Sequence, residues 1–299
     1  MPIKQKFLPL LLPFLLSACS NFDSSKVEIH RLDHAVSEAT ALTADERNAL
    51  DALHEVMPYE ASPSVMRFQA DVDSLLPSLD GVETQLGEAA AKMSHFGKLY
   101  AIVSLYNQSV ITVGNDYVFI GLNHYLGEDY PGYSGHFPDY MLHRKTLAQL
   151  PADVVRAIIE RDCPAQFSTD ATLLNRMLRD GAVNYAVSCY LHTDNPIGFS
   201  SEQLQWCKEN EARIWRQMME AQLLFSTDPT VADRLLNPAT ASLPINANAP
   251  GETARFTALQ IVRAYVEQHP DAEISTLLSP DFYNSNQSLI DSQYAPNGN

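Results

Sequence analysis

The hydrophobic positions recur at helical spacing along much of the chain. This spacing predicts one helix over 64–79 and another from Glu83 to Tyr106. A third begins at Pro151 and ends before Pro164, because proline suits a first helical turn but cannot continue a helix. The apolar stripe of this third helix consists of Val154, Val155, Ile158 and Ile159.

Capping signals predict three more helices in the second half. The triplet Ser168-Thr169-Asp170 is suited to cap the first of them. Ser200 and Gln203 have the spacing of a capping box, which predicts a long helix that continues to about Phe225. Pro250-Gly251 precedes the last helix.

A strand signal lies between Ser109 and Leu122. Runs rich in β-branched and aromatic residues flank Gly114-Asn115, which predicts a hairpin. The loop that follows is rich in glycine, proline and aromatic residues. Its aromatic side chains form either a recognition surface or a lid folded back on the core. They are Tyr125, Tyr130, Tyr133, Phe137 and Tyr140.

The first residues have the pattern of an export signal. A basic start precedes an apolar run from Phe7 to Leu16, which is shorter than the roughly 20 residues of a membrane-spanning helix. Leu16-Ser17-Ala18-Cys19 then resembles the bacterial lipobox, which implies cleavage between Ala18 and Cys19 and acyl chains such as palmitate on Cys19. The same resemblance implies that Asp after the cysteine would favour the inner membrane, so Ser20 favours the outer membrane. An ordinary secretory signal with an accidental cysteine is the alternative.

These patterns divide the chain into four parts. We predict a lipoprotein signal peptide at 1–18, a lipidated N-terminus and tether at 19–40, a globular body at 41–278 and a loose polar tail at 279–299. The body is expected to be one α+β domain, mostly α-helical, with a small β-sheet or hairpin.

Composition narrows the range of partners and of covalent links. With 20 basic and 36 acidic residues the net charge is −16, which argues against nucleic acid and leaves membrane attachment to the N-terminus. Cys163, Cys189 and Cys207 remain once Cys19 is lipidated. Three thiols allow at most one intramolecular disulfide, and buried free thiols are the alternative.

The sequence lacks the common hydrolase motifs. It has no HExxH, because Pro58 occupies the second ligand position after His54-Glu55. His30 and His34 are one helical turn apart, but a solvated helix face is favoured over a metal site. Ser134 lies in a glycine-rich loop rather than in a nucleophile elbow. We therefore expect neither a metal nor another cofactor.

Several segments resemble the gliding-motility lipoprotein family GldB, in order over about residues 95–278. They are Tyr125–Gly127 with Phe137, Pro138 and Tyr140; Leu173, Leu174, Met177, Gly181 and Tyr185; Trp206–Trp215 with Leu223–Asp228; and Pro250-Gly251 with Gln260–Arg263. The chain departs from the family at Glu252–Phe256, where glycine and tryptophan are expected.

The resemblance implies a lipid-anchored cell-envelope protein with a zincin-like fold that lacks the metal motif. Val155–Glu160 lies where such a peptidase carries HExxH, and Asp180 lies where it carries a downstream acidic ligand. The candidate cleft residues are Tyr125, Tyr140, Glu160, Tyr185 and Glu211.

Three functions follow from these expectations. A non-catalytic protein that binds a partner or peptide in a peptidase-like cleft is favoured. The alternatives are an envelope hydrolase that uses acids such as Glu160 or Glu211, although exposed acids are the default in so acidic a chain, and a structural accessory of an envelope or motility complex.

Overall fold

The sheet lies in the first half of the chain. A computed structural model of the protein describes residues 26–37, 42–58 and 63–296, so the predicted signal peptide and Cys19 lie outside the described residues. The strands are β1 (Ile29–Arg31), β2 (Lys98–Ile102), β3 (Ile111–Val113) and β4 (Tyr117–Gly121). Their order is β1-β2-β4-β3, in which β3 is antiparallel to β4 and the other pairs are parallel. The protein is therefore α+β, as predicted.

Helices make up most of the remaining structure. They are α1 (Leu32–Ser37), α2 (Ala44–Val56), α3 (Pro63–Leu75), α4 (Asp80–Ala90), α5 (Asp139–Leu142), α6 (Leu150–Asp162), α7 (Leu173–Leu191), α8 (Ser201–Glu209), α9 (Glu211–Glu220), α10 (Pro229–Leu236), α11 (Thr253–Gln268), α12 (Ile274–Leu277), α13 (Pro280–Tyr283) and α14 (Gln287–Ser292). Within the described ranges, no helix is long and apolar enough to cross a membrane.

Both faces of the sheet are covered, because successive side chains of a strand point to opposite sides. One face packs against α1 and α2, and its buried cluster includes Tyr100, Ile102, Phe119, Leu32 and Leu53. The other face joins the main core with α4, α6 and α7, and this cluster includes Leu99, Val118, Ile120, Leu86, Ile158 and Leu178. The sheet thus separates two helical layers.

The predicted hairpin is confirmed, with its turn one residue later than expected. The Gly114 N–H donates to the Tyr117 carbonyl at 2.8 Å, which leaves Asn115 and Asp116 as the turn residues. The predicted helix from Glu83 to Tyr106 is wrong beyond α4, because its second part contains β2. That strand is buried on both faces, so its residues are apolar without the alternation that marks a surface strand. Such a run cannot be distinguished from a buried helix by its spacing alone.

The helix boundaries confirm some capping signals and correct others. The capping box of Ser200 and Gln203 is present, but the helix that it begins ends at Glu209, and α9 starts anew after Asn210. The predicted cap at residues 168–170 is wrong. Thr172 is the N-cap of α7, and its hydroxyl accepts the N–H of Asn175.

The C-terminal part packs against the body instead of forming the loose tail that we expected from Ser279. Residues 280–292 contain α13 and α14, and Tyr283 is fully buried. The Tyr283 hydroxyl accepts the N–H of Gln166 at 2.8 Å, and its carbonyl accepts the side-chain amide of Asn175 at 2.9 Å. Phe282 is buried beside Tyr283, and Leu289 and Tyr294 also pack against the core, so a few apolar side chains anchor this mostly polar segment.

Candidate binding cavity

A cavity of about 520 Å³ lies between α6, α7 and α10. Helix α7 contributes Arg176, Arg179, Asp180 and Val183, whose i, i+3, i+4 and i+7 spacing places them on one helix face. Arg255 of α11 also lines the cavity. The remaining wall is largely apolar and includes Pro164, Ala165, Phe167, Pro229, Ala232 and Leu236.

Arg255 forms an ion pair with Asp180 at one end of the cavity. Its Nε lies 3.0 and 3.1 Å from the two carboxylate oxygens, and its Nη2 lies 2.8 Å from Oδ1. The Arg255 Nη1 also donates to Glu252 at 2.9 Å, and Glu252 accepts Nη2 of Arg144 at 2.6 Å. Burial opposes the charge of Arg255, but Asp180 and Glu252 together raise its pKa above the usual range.

A second guanidinium, that of Arg156, lies close to this ion pair. Its Nη2 donates to the Asn184 side chain at 2.7 Å and to the Pro196 carbonyl at 2.8 Å. Asn184 in turn donates to Asp180 Oδ2 at 2.8 Å. Burial and the neighbouring charge of Arg255 lower the pKa of Arg156 to about 10. The guanidinium therefore remains charged near neutral pH.

Arg176 and Arg179 lack carboxylate partners within the described residues. Arg179 is only 5% exposed, and its Nη2 donates to the Cys163 carbonyl. Its Nε and Nη1 are buried and make no hydrogen bond with any described residue. The guanidinium carbon of Arg176 lies 5.1 Å from the centre of the Phe167 ring. The Arg176 guanidinium forms no hydrogen bond or ion pair with any residue in the described ranges.

The comparison with protein families agrees with the sequence resemblance. Residues 18–296 match the model of the family described as gliding motility protein GldB. The chain belongs to this family. Membership associates it with gliding motility and with lipoproteins of the cell envelope. Neither the curated proteins nor the solved structures contain a match.

In this GldB-family chain the residues at the expected metal position do not fit zinc. Zinc ligands are imidazoles, thiolates and carboxylates that are free to coordinate. Here Arg156 occupies the HExxH segment, and both oxygens of Asp180 accept hydrogen bonds from Arg255. Each guanidinium would also repel the cation. We therefore assign no metal chemistry to this position.

The five candidate cleft residues do not come together. Glu160 lines the cavity, and within the described part of the chain its carboxylate has no hydrogen bond or ion pair. Tyr185 is partly buried on α7 beside the cluster of Ile197 and Phe199. Tyr140 is partly buried on α5. Glu211 accepts the hydroxyl of Tyr294 at 2.9 Å and so holds the C-terminal segment against α9.

The aromatic loop corresponds to the lid alternative. Tyr125 and Tyr133 are buried, and the Tyr125 hydroxyl donates to Asp153 at 2.9 Å. The Tyr133 hydroxyl donates to the Asn123 carbonyl at 2.9 Å and accepts the Leu126 N–H at 2.8 Å. These hydrogen bonds hold the loop against the core.

The histidine pair near the tether is also separated. His30 lies in β1, with its ring centre 5.2 Å from that of Tyr100. His34 Nε2 lies 2.6 Å from Asp73. Asp33, His34 and Asp73 could together offer ligands to a cation, but Arg31 Nη2 donates to both carboxylates at 2.6 and 2.9 Å and supplies the positive charge there.

The sequence did carry one usable signal for the cavity. Arg176 and Arg179 are one helical turn apart in a chain with few basic residues, so both face one side of α7. The pairing of Asp180 with Arg255 joins residues far apart along the chain and had no local signal.

Proposed function

We propose that this chain is a lipid-anchored cell-envelope protein that binds a segment of a partner protein in the cavity beside α7 without cleaving it. Cys19 would carry the lipid and hold the body at the periplasmic face of the outer membrane. The fold would be a zincin-like relative that uses its former catalytic cleft for binding. The ion pair of Arg255 with Asp180 carries this proposal.

That ion pair argues against hydrolysis because it occupies the acid that a peptidase would need. Asp180 accepts three bonds from Arg255 and one from Asn184, so its oxygens are engaged. Arg156 adds a second fixed positive charge nearby. Such an arrangement stabilises a folded core, but it neither activates water nor supplies a nucleophile.

The cavity itself supports binding. Its volume of about 520 Å³ falls within the usual range for ligand pockets, roughly 300–1,000 Å³. Apolar side chains form much of its wall, and a few charged groups converge on it. This combination suits an apolar side chain of a bound segment together with a polar anchor.

Photo-crosslinking in living cells tests the binding. Benzoylphenylalanine in place of Leu236, which lines the cavity, should give a discrete crosslinked product on irradiation. The same replacement at Leu243, which is 71% exposed and outside the cavity, provides the matched control. Equal products from both positions, or none from Leu236, would contradict the proposal.

The alternative of an envelope hydrolase rests on Glu160, a cavity acid that forms no hydrogen bond or ion pair with another described residue. The full-length protein in detergent should release no fragments from peptidoglycan or from an unfolded polypeptide. Release that disappears in a Glu160→Gln variant would favour the hydrolase and would contradict a non-catalytic role.

A further inference from the structure

We infer that the cavity beside α7 recognises a carboxylate group of an extended peptide through the guanidinium groups of Arg176 and Arg179. This inference rests on the proposed function and names the chemistry of the bound segment. It uses two cations that form no ion pair with any other described residue.

Arg179 is the stronger indication. Burying a charged group is unfavourable unless it finds partners, and Arg179 is 5% exposed with only one of its donor atoms engaged by an oxygen. The Tyr283 ring, 5.8 Å from the guanidinium carbon, provides a weaker contact. Arg179 lines the cavity, so a carboxylate bound there would lie beside this charge and compensate it.

Arg176 lies one helical turn before Arg179 and is more accessible. The Phe167 ring holds its guanidinium at the cavity wall without using its N–H groups. Those donors remain available to a ligand from solvent. Arg176 can therefore donate hydrogen bonds to a carboxylate, while the charge of Arg179 on the same helix face attracts it.

The other charges of the cavity favour a carboxylate over a phosphate. Asp180 is neutralised by Arg255, whereas Glu160 and Asp233 are exposed and screened by solvent. A dianionic phosphate would still be repelled by these two acids more strongly than a singly charged carboxylate. Phe167 and Leu236 add apolar surface that suits a neighbouring hydrophobic side chain of a peptide.

Peptide binding to the full-length lipoprotein in detergent micelles tests this inference. The probe is the peptide Ser-Ala-Leu-Phe with a free C-terminal carboxylate and an uncharged fluorophore on its N-terminus, measured by fluorescence anisotropy. The C-terminal amide of the same peptide should bind about tenfold more weakly or worse, because it lacks the charged acceptor. An amidated peptide with an internal glutamate shows whether a side-chain carboxylate can replace the terminal one.

Arg176→Gln should weaken binding of the carboxylate peptide about tenfold and leave binding of the amide unchanged. Arg234→Gln removes one exposed positive charge from α10 outside the cavity and should change neither affinity. Thermal unfolding of both variants checks that they fold. Arg176→Lys keeps the charge without the planar fork and should give an intermediate loss.

Equal binding of acid and amide, or an unchanged affinity in Arg176→Gln, would overturn the inference. If crosslinking at Leu236 nevertheless succeeds, the proposed binding function stands and only the carboxylate chemistry fails. Failure of every peptide to bind, together with failure to crosslink, counts against both. Displacement of the peptide by inorganic phosphate at equal concentration would show that the cavity selects anionic charge rather than carboxylate.

Discussion

Arg255 binds Asp180 through two of its nitrogens, with distances of 2.8, 3.0 and 3.1 Å. The pair joins α11 to α7 at the edge of the cavity. Arg255 lies within Glu252–Phe256, the segment in which we expect the chain to depart from the family pattern. Glu252, in the same segment, also accepts a bond from Arg255. Arg255 therefore neutralises Asp180, the acid for which the family resemblance predicts a position equivalent to a peptidase metal ligand.

Removing Arg255 should leave Asp180 as a partly buried charge without its main partner. Arg255→Gln is expected to lower the free energy of unfolding by about 3 kcal/mol. This value is at the lower end of the range for breaking a buried ion pair, because both side chains keep some exposure. The double variant Asp180→Asn, Arg255→Gln should lose less than the sum of the single variants. Denaturant unfolding measures all three, and additive losses would contradict the coupling.

The contact between α7 and α11 also depends on Gly181, which follows Asp180. A Cβ atom there would lie 2.4 Å from the Ala258 carbonyl oxygen of α11. Gly181→Ala should therefore push α7 and α11 apart and lower the free energy of unfolding by about 1–3 kcal/mol.

Gly81 in α4 provides the matched control for this substitution. A Cβ atom at Gly81 meets nothing within 4 Å, so Gly81→Ala should stabilise the helix by about 0.5–1 kcal/mol. Thermal unfolding measures both variants. A stable Gly181→Ala protein would mean that the helices can separate without cost.

The sequence predicted the elements with local signals and failed where long-range contacts decide. The hairpin was predictable because its turn and its β-branched residues are adjacent. Strand β2 was not, because Leu99–Ile102 becomes a strand only between β1 and β4, and β1 itself has three residues.

The cavity was predictable only in part, for the same reason. The sequence identifies Glu160 because this residue lies on a helix with a clear apolar stripe. Tyr125 and Glu211 were named with it, but they bond to Asp153 and Tyr294, away from the cavity. Which residues line a cleft depends on how helices pack, and α7 meets α10 and α11 only through side chains far apart along the chain.

Buried His124 should make the protein sensitive to mild acid. Burial, and then the charge of Lys145, lower the pKa of His124 to about 3. The unfolded chain binds a proton near pH 6.5, whereas the folded protein keeps this imidazole neutral. Stability is therefore lost as pH falls below about 6.5, at about 1.4 kcal/mol per pH unit from this group.

His124→Gln should reduce that slope, since glutamine does not titrate and can still bond to Ser104, whose hydroxyl lies 3.2 Å from His124 Nε2. Denaturant unfolding between about pH 6.5 and 5 measures the slope above the range where most carboxylates titrate. His136→Gln, at an exposed histidine, controls for the loss of an imidazole. An unchanged slope in His124→Gln would show that other groups cause the acid sensitivity.

We expect Cys19 to decide whether the body is attached to a membrane. The net charge of −16 opposes adsorption of the body to anionic lipid. If acyl chains on Cys19 are the anchor, Cys19→Ala should abolish metabolic palmitate labelling and release the protein from the membrane fraction. Cys189→Ala, at a free and partly buried thiol of the body, should keep both the label and the membrane attachment. Palmitate that persists in Cys19→Ala would place the lipid elsewhere and remove the basis for anchoring at the N-terminus.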